Sequence, residues 1–259
     1  MSGIPPARVA SAADEFYVGY LPMPPRLKSF VIAILITAVA SLGLAAIVIA
    51  SQQSSAGGGN WEFGVNREFV GTLVVKPYPL LIGPHPFTPR HGNVTYVVVS
   101  EGKHGSADRL ASYDGRRVRL KASLLDRTGR FLLELSSDID AITVQEAASE
   151  IFSGRPSGRQ KLCGEIIDPK CYLGAMKPGG GRTHRACATL CIRGGIPPMF
   201  VTRDENLQET YYLLTNESGN AILEEIVPFI GEPVELQGDV QRIGDLNVLR
   251  VERNSLKRI

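Results

Sequence analysis

Net charge is scarce in this chain: 28 lysines and arginines stand against 26 aspartates and glutamates, a balance of +2. So small an excess provides no electrostatic footprint for a polyanion, and no nucleic acid is expected as a partner. Cysteine is equally scarce. The four present, Cys163, Cys171, Cys187 and Cys191, all fall in one stretch, so thiol or thiolate chemistry is excluded elsewhere. No C-x-x-C pair occurs, which removes a thioredoxin-like mechanism, and no C-x-x-C-H, which removes covalent haem attachment. A Rieske centre needs two histidines beside two cysteines, and only His184 lies near this set; His85, His91 and His104 are scattered in the first half and read as surface residues. The loop from Lys177 to Thr183 lacks the G-x-x-x-x-G-K-[ST] order and reads as a flexible turn. Neither paired carboxylates nor a Ser/His/Asp set stands out, so no enzyme activity is assigned.

Charge is absent altogether from Ser29 to Ser51, SFVIAILITAVASLGLAAIVIAS. About 20 apolar residues suffice to cross a hydrocarbon core of ~30 Å as a helix. The run is longer than the core of a cleaved signal peptide, so a single-pass membrane anchor is expected. Arg26 and Lys28 precede it and SQQSSAGGGN follows it. The positive-inside rule then places the N-terminus in the cytoplasm and everything after residue 51 outside.

The composition divides the chain into a Pro-rich disordered leader (1–28), the transmembrane helix (29–51) and a flexible linker (52–60). Beyond it one unit is written twice. Gly71-Thr-Leu matches Gly164-Glu-Ile, Thr95-Tyr-Val matches Thr210-Tyr-Tyr, Val118-Arg-Leu-Lys matches Val234-Glu-Leu-Gln, and Phe131-Leu-Leu matches Leu246-Asn-Val. Alternation of apolar and polar residues marks half-buried strands. A short helical piece is expected at Ser106–Ser112 in the first copy and Asn220–Val227 in the second. This is the plan of an OB-fold. The fold class is therefore mainly β: a transmembrane helix followed by two tandem OB-like small barrels, at 61–144 and 161–259, joined by a linker (145–160) that begins helix-like. The second copy carries about 22 extra residues between its first strands, read from the spacing of the matched blocks, and the cysteines fill that insertion.

Thr183 to Gly195 reads as a short helix with Thr183 as N-cap, placing His184, Cys187 and Cys191 on one face. Cys171, on the loop after the first strand, can meet that face across Gly179–Gly181. Cys171, His184, Cys187 and Cys191 are thus a candidate metal set, with thiolates and imidazole suited to zinc or copper(I). The competing reading is disulfides among Cys163, Cys171, Cys187 and Cys191, the default in an oxidising compartment. Four cysteines allow three pairings. Asp168, before Pro169, reads as a turn cap.

The run Gly164-x-Ile-x-Asp168-x-x-Cys171, then His184-x-x-Cys187-Ala188-x-x-Cys191, then Gly194-Gly195 and the strand around Tyr211, resembles a bacterial family of exported small β-domains of unknown function. The resemblance covers about 100 residues, from Cys163 to the C-terminus. It implies an OB-like barrel and an envelope location, hence a bacterial inner-membrane anchor with periplasmic domains, and it implies no established reaction. Two roles follow as expectations. One is a periplasmic accessory protein binding a metal or cofactor at the Cys/His loop, beside a membrane redox complex. The other is a structural or assembly module with a stapled loop, docking a partner through a barrel face or Ile196–Phe200.

Overall fold

The computed structural model describes residues 23–52, 58–88, 92–145 and 154–259, so the helix expected after Gln145 and the histidine at 91 lie outside the described residues. Two units are resolved, one holding the N-terminal helix and one everything after it. The helix α1, Pro25–Gln52, begins earlier than the uncharged run and takes Arg26 and Lys28 into its first turn. It is long and apolar enough to cross a membrane, and none of its apolar window is buried against protein. At 1.5 Å per residue its 28 residues extend about 42 Å.

The second unit contains two closed five-stranded barrels. The first has β1 (Asn60–Trp61), β2 (Arg67–Val74), β3 (Leu80–Pro84), β4 (Asn93–Ser100), β5 (Arg117–Arg127), β6 (Arg130–Leu135) and β7 (Ile142–Val144), with the one-turn helix α2 (Ala107–Leu110) between β4 and β5. Around the barrel the strands run β2-β3-β4-β6-β5 and back to β2, with β4 and β6 parallel. The second has β8 (Arg155–Ile167), helix α3 (Arg185–Arg193), β9 (Met199–Arg203), β10 (Glu209–Thr215), β11 (Pro233–Ile243), β12 (Leu246–Val251) and β13 (Lys257–Arg258). Its circuit is β8-β9-β10-β12-β11 and back to β8, with β10 and β12 parallel. Both are the OB arrangement.

The registers test the repeat residue by residue. Gly71 lies opposite Val118 and Gly164 opposite Val234, as the sequence match requires. At both glycines a Cβ would press into the carbonyl of the neighbouring strand, Ile82 at 2.4 Å and Val201 at 2.2 Å. The barrel wall closes too tightly there for a side chain. Two other blocks shift by one residue. Thr95 pairs with Ile82 where Tyr211 pairs with Val201, so Thr95 corresponds to Tyr211, not Thr210. Arg130 ends its hairpin opposite Arg127 as Leu246 does opposite Ile243, so Leu246 corresponds to Arg130.

Three other expectations change. Asn220–Val227 is not a helix but a bridge and turns, with a 3-10 turn only at Val227–Phe229. The Tyr78 hydroxyl occupies the backbone at Ile222, accepting from its N–H (2.9 Å) and donating to its C=O (3.3 Å), so a helix cannot use those groups there. The segment around Arg155–Gln160, read as linker, is the first half of β8 and pairs with β11. Ile196–Phe200, offered as a docking stretch, is buried throughout.

Each barrel has its own interior, around Tyr96, Val98 and Leu120 in the first and Phe200, Tyr212 and Leu236 in the second. A third apolar core lies between them. It joins Leu80, Ile82, Val97, Val99 and Leu132 to Met199, Val201, Tyr211, Leu213, Leu246 and Val248. Strands β4 and β10 are therefore buried on both faces, which is why their sequences run apolar without alternating.

Candidate metal centre

The chain between the first two barrel strands is residues 75–79 in the first copy and 168–198 in the second, so the insertion falls within the latter segment. It starts at Asp168, whose Oδ1 accepts the Lys170 N–H at 2.9 Å and turns the chain out of β8. Cys171–Ala175 forms a single wide turn, closed by the Met176 N–H on the Cys171 carbonyl at 3.1 Å. The chain then loops through Gly179–Gly181, where the Gly181 N–H is held by Glu165 at 2.5 Å. Helix α3 follows. Its N-cap position is His184 rather than Thr183, and it buries Ala188, Cys191 and Ile192. It stops at Gly194–Gly195, where the chain meets the first barrel: the Gly105 N–H donates to the Gly194 carbonyl at 2.9 Å.

This path gathers three of the four cysteines. The sulfurs of Cys171, Cys187 and Cys191 all lie within 4.8 Å of one another, with Cys171 and Cys187 4.0 Å apart. Cys171 and Cys191 are buried and Cys187 half-buried. Cys163 is not part of the group; it faces solvent from β8, opposite Glu235. No two of the four sulfurs are at bonding distance, so the expected disulfide staples are absent and all four cysteines are free.

His184 belongs to a second group. Its ligand atom, a carboxylate oxygen of Asp168 and the Cys171 sulfur lie within 4.8 Å of one another, all three residues buried. Cys171 is the member common to both groups. The four ligands expected to form one shell are thus brought to one place but divided, with Asp168 added.

The first barrel contributes a cation that the sequence did not flag. Lys103 places its ammonium 2.7 Å from the Cys187 sulfur and 3.7 Å from that of Cys191. Its hydrogen bond to Cys187 raises its own pKa. Cys171 and Cys191 titrate as a pair: the hydrogen bond between them, then burial, drives Cys171 up, while the same bond pulls Cys191 down, so Cys191 ionises first. Burial lowers the pKa of His184, keeping the imidazole neutral and able to ligate.

The loop that presents Lys103 is itself fixed. Lys170 reaches across from the second barrel to the Ser100 and Gly102 carbonyls at 3.1 and 2.6 Å and to Glu134 at 2.5 Å. A pocket of about 560 Å³ opens beside the sulfurs, with Trp61, Phe63 and Met176 around it. A larger cavity of about 730 Å³, lined by Glu217, Phe229 and Arg253 among others, holds none of the candidate residues. Neither His85 nor His104 belongs to either donor group among the described residues. No sequence pattern singles out Lys103, which sits among Gly102, His104 and Gly105; Asp168 was visible in its D-x-x-C spacing but read only as a cap.

A metal–sulfur bond of ~2.3 Å puts ligand sulfurs ~3.8 Å apart in tetrahedral and ~4.0 Å apart in trigonal geometry. The Cys171–Cys187 separation of 4.0 Å fits such a shell, and the Cys191 sulfur lies within 4.8 Å of both. An iron–sulfur cluster fits less well, since its cysteines bind different irons and spread more widely. Comparison with protein-family models, curated proteins and solved structures finds no match to this chain.

Proposed function

We propose that this chain is a membrane-anchored accessory protein that binds a soft metal ion, copper(I) or zinc, on the thiolates of Cys171, Cys187 and Cys191. It works on the periplasmic side of a bacterial inner membrane, beside a membrane redox complex. The observation that carries the binding role is the single-ion spacing of the three sulfurs. Thiolate sets select such ions, and Lys103 partly offsets the charge they gather. The apolar helix α1 supports the anchor; the flanking charges and the family resemblance support the compartment.

The test uses the full chain in detergent, purified without oxygen and loaded with copper(I) or zinc. Cys191→Ser is expected to lower affinity at least ~100-fold, because loss of even an outer-shell partner costs ~10–100-fold. Cys163→Ser leaves binding unchanged. A wild-type chain that holds no ion in its reduced form removes the proposal. A Cys171–Cys187 disulfide in that case leaves the stapled assembly module.

A further inference from the structure

Beyond the three-sulfur shell lies a second set of donors that this shell does not use. Asp168 is fully buried and His184 is 4 % exposed. Asp168 Oδ2 and His184 Nε2 are both buried without a hydrogen-bond partner. An orphaned carboxylate oxygen and an orphaned ring nitrogen in one place are costly and call for a reason. One carboxylate oxygen of Asp168 and one ring nitrogen of His184 lie within 4.8 Å of the Cys171 sulfur, from which Cys187 and Cys191 lie at similar range.

We propose that the centre holds two ions, with the Cys171 thiolate bridging them: one on Cys171, Cys187 and Cys191, the other on Asp168, Cys171 and His184. The inference rests on the metal-binding reading above and extends it. The donor chemistry differs on the two sides. Three sulfurs suit copper(I) or zinc, whereas a carboxylate, an imidazole and a shared sulfur suit zinc. Charge points the same way. Three thiolates and a carboxylate carry four negative charges, and Lys103 supplies one positive charge beside the sulfurs. The other nearby lysine, Lys170, is already answered by Glu134. One divalent ion would leave the buried cluster negative by about one charge, whereas a copper(I) ion on the sulfurs together with a zinc ion on the second set would bring it to neutrality, and buried charge persists only when compensated.

The experiment loads the reduced full-length chain in detergent with zinc, removes the excess and counts zinc per chain. Two ions are expected in the wild type. His184→Asn and Asp168→Asn each reduce the count to one, and Cys171→Ser alone loses both. Circular dichroism confirms that each variant is folded, and cobalt(II) reconstitution gives a second readout: a bridged pair shows magnetic coupling that His184→Asn abolishes. One zinc that is indifferent to His184→Asn and Asp168→Asn overturns the two-ion centre and leaves the three-sulfur site standing, with a buried water as the partner of the orphaned atoms. One zinc that His184→Asn removes also overturns it, in favour of a single mixed shell. No zinc and no copper(I) defeats the metal-binding reading itself.

Discussion

Glu209 shows how single side chains tie the two barrels together. It accepts from Nε and Nη2 of the Arg127 guanidinium, each at 2.8 Å, across the barrel boundary, and from the Tyr172 hydroxyl at 2.7 Å. Burial alone raises its pKa, but the bonds from Arg127, Tyr211 and Tyr172 outweigh that and hold it at about 2. A carboxylate lowered on folding adds stability above its unfolded pKa, about 4.5, and loses it as pH falls towards 2. Urea titrations of the metal-free chain are expected to show a loss on the order of 2 kcal/mol across that window, discounted for screening. Glu209→Gln is less stable at neutral pH, because it strands Arg127, and its stability changes less over the same window. Lys103, exposed and bonded only to sulfur, behaves differently. Lys103→Met is expected to fold normally and to lower metal affinity ~10–100-fold, measured by chelator competition.

At the scale of elements, close backbone contact adds to the Lys170 and Lys103 side chains in holding the insertion against the first barrel. A Cβ on Gly105 would stand 2.1 Å from the Gly195 carbonyl, and one on Gly194 1.8 Å from that of Lys103. Gly105→Ala is therefore expected to cost roughly 1–3 kcal/mol and to weaken metal binding by moving Lys103; thermal unfolding and metal titration of the same sample check both. These contacts were illegible in the sequence, since nothing local to Gly105 speaks of Gly195. Alternating strands such as β5 and β11 were legible because one face is wetter than the other. The short strands β3 and β9 were not, since Leu80–Pro84 and Met199–Arg203 carry proline or follow it and do not alternate cleanly. The helical face bearing Cys187 and Cys191 was legible from its spacing. The separation of His184 from that shell was not, because it depends on where Asp168 and Cys171 leave β8.

The duplicated halves behave as one molecule because a shared apolar core seals the face between them, with Leu80, Val97, Met199 and Leu213 fully buried. Nothing in the residues measures this: an unbroken apolar run such as Tyr96–Val99 is equally consistent with a central strand in a larger sheet. Two barrels that unfolded independently would need to expose that face. The part of the chain after α1 is thus expected to unfold in one cooperative transition, with equal calorimetric and van't Hoff enthalpies. Two separate heat-absorption peaks after α1 would show the shared core to be weak.

The half-buried state of Cys187, against the buried Cys171 and Cys191, gives the centre a front and a back. In a time course of alkylation, a reagent reaches Cys163 and Cys187 early and the two inner thiols late. For an ion bound as proposed, the same gradient would make traffic sequential: the outermost bond would be the first to be exchanged, and an acceptor offering its own sulfur at the Trp61–Met176 rim would draw the ion away one bond at a time, without opening either barrel.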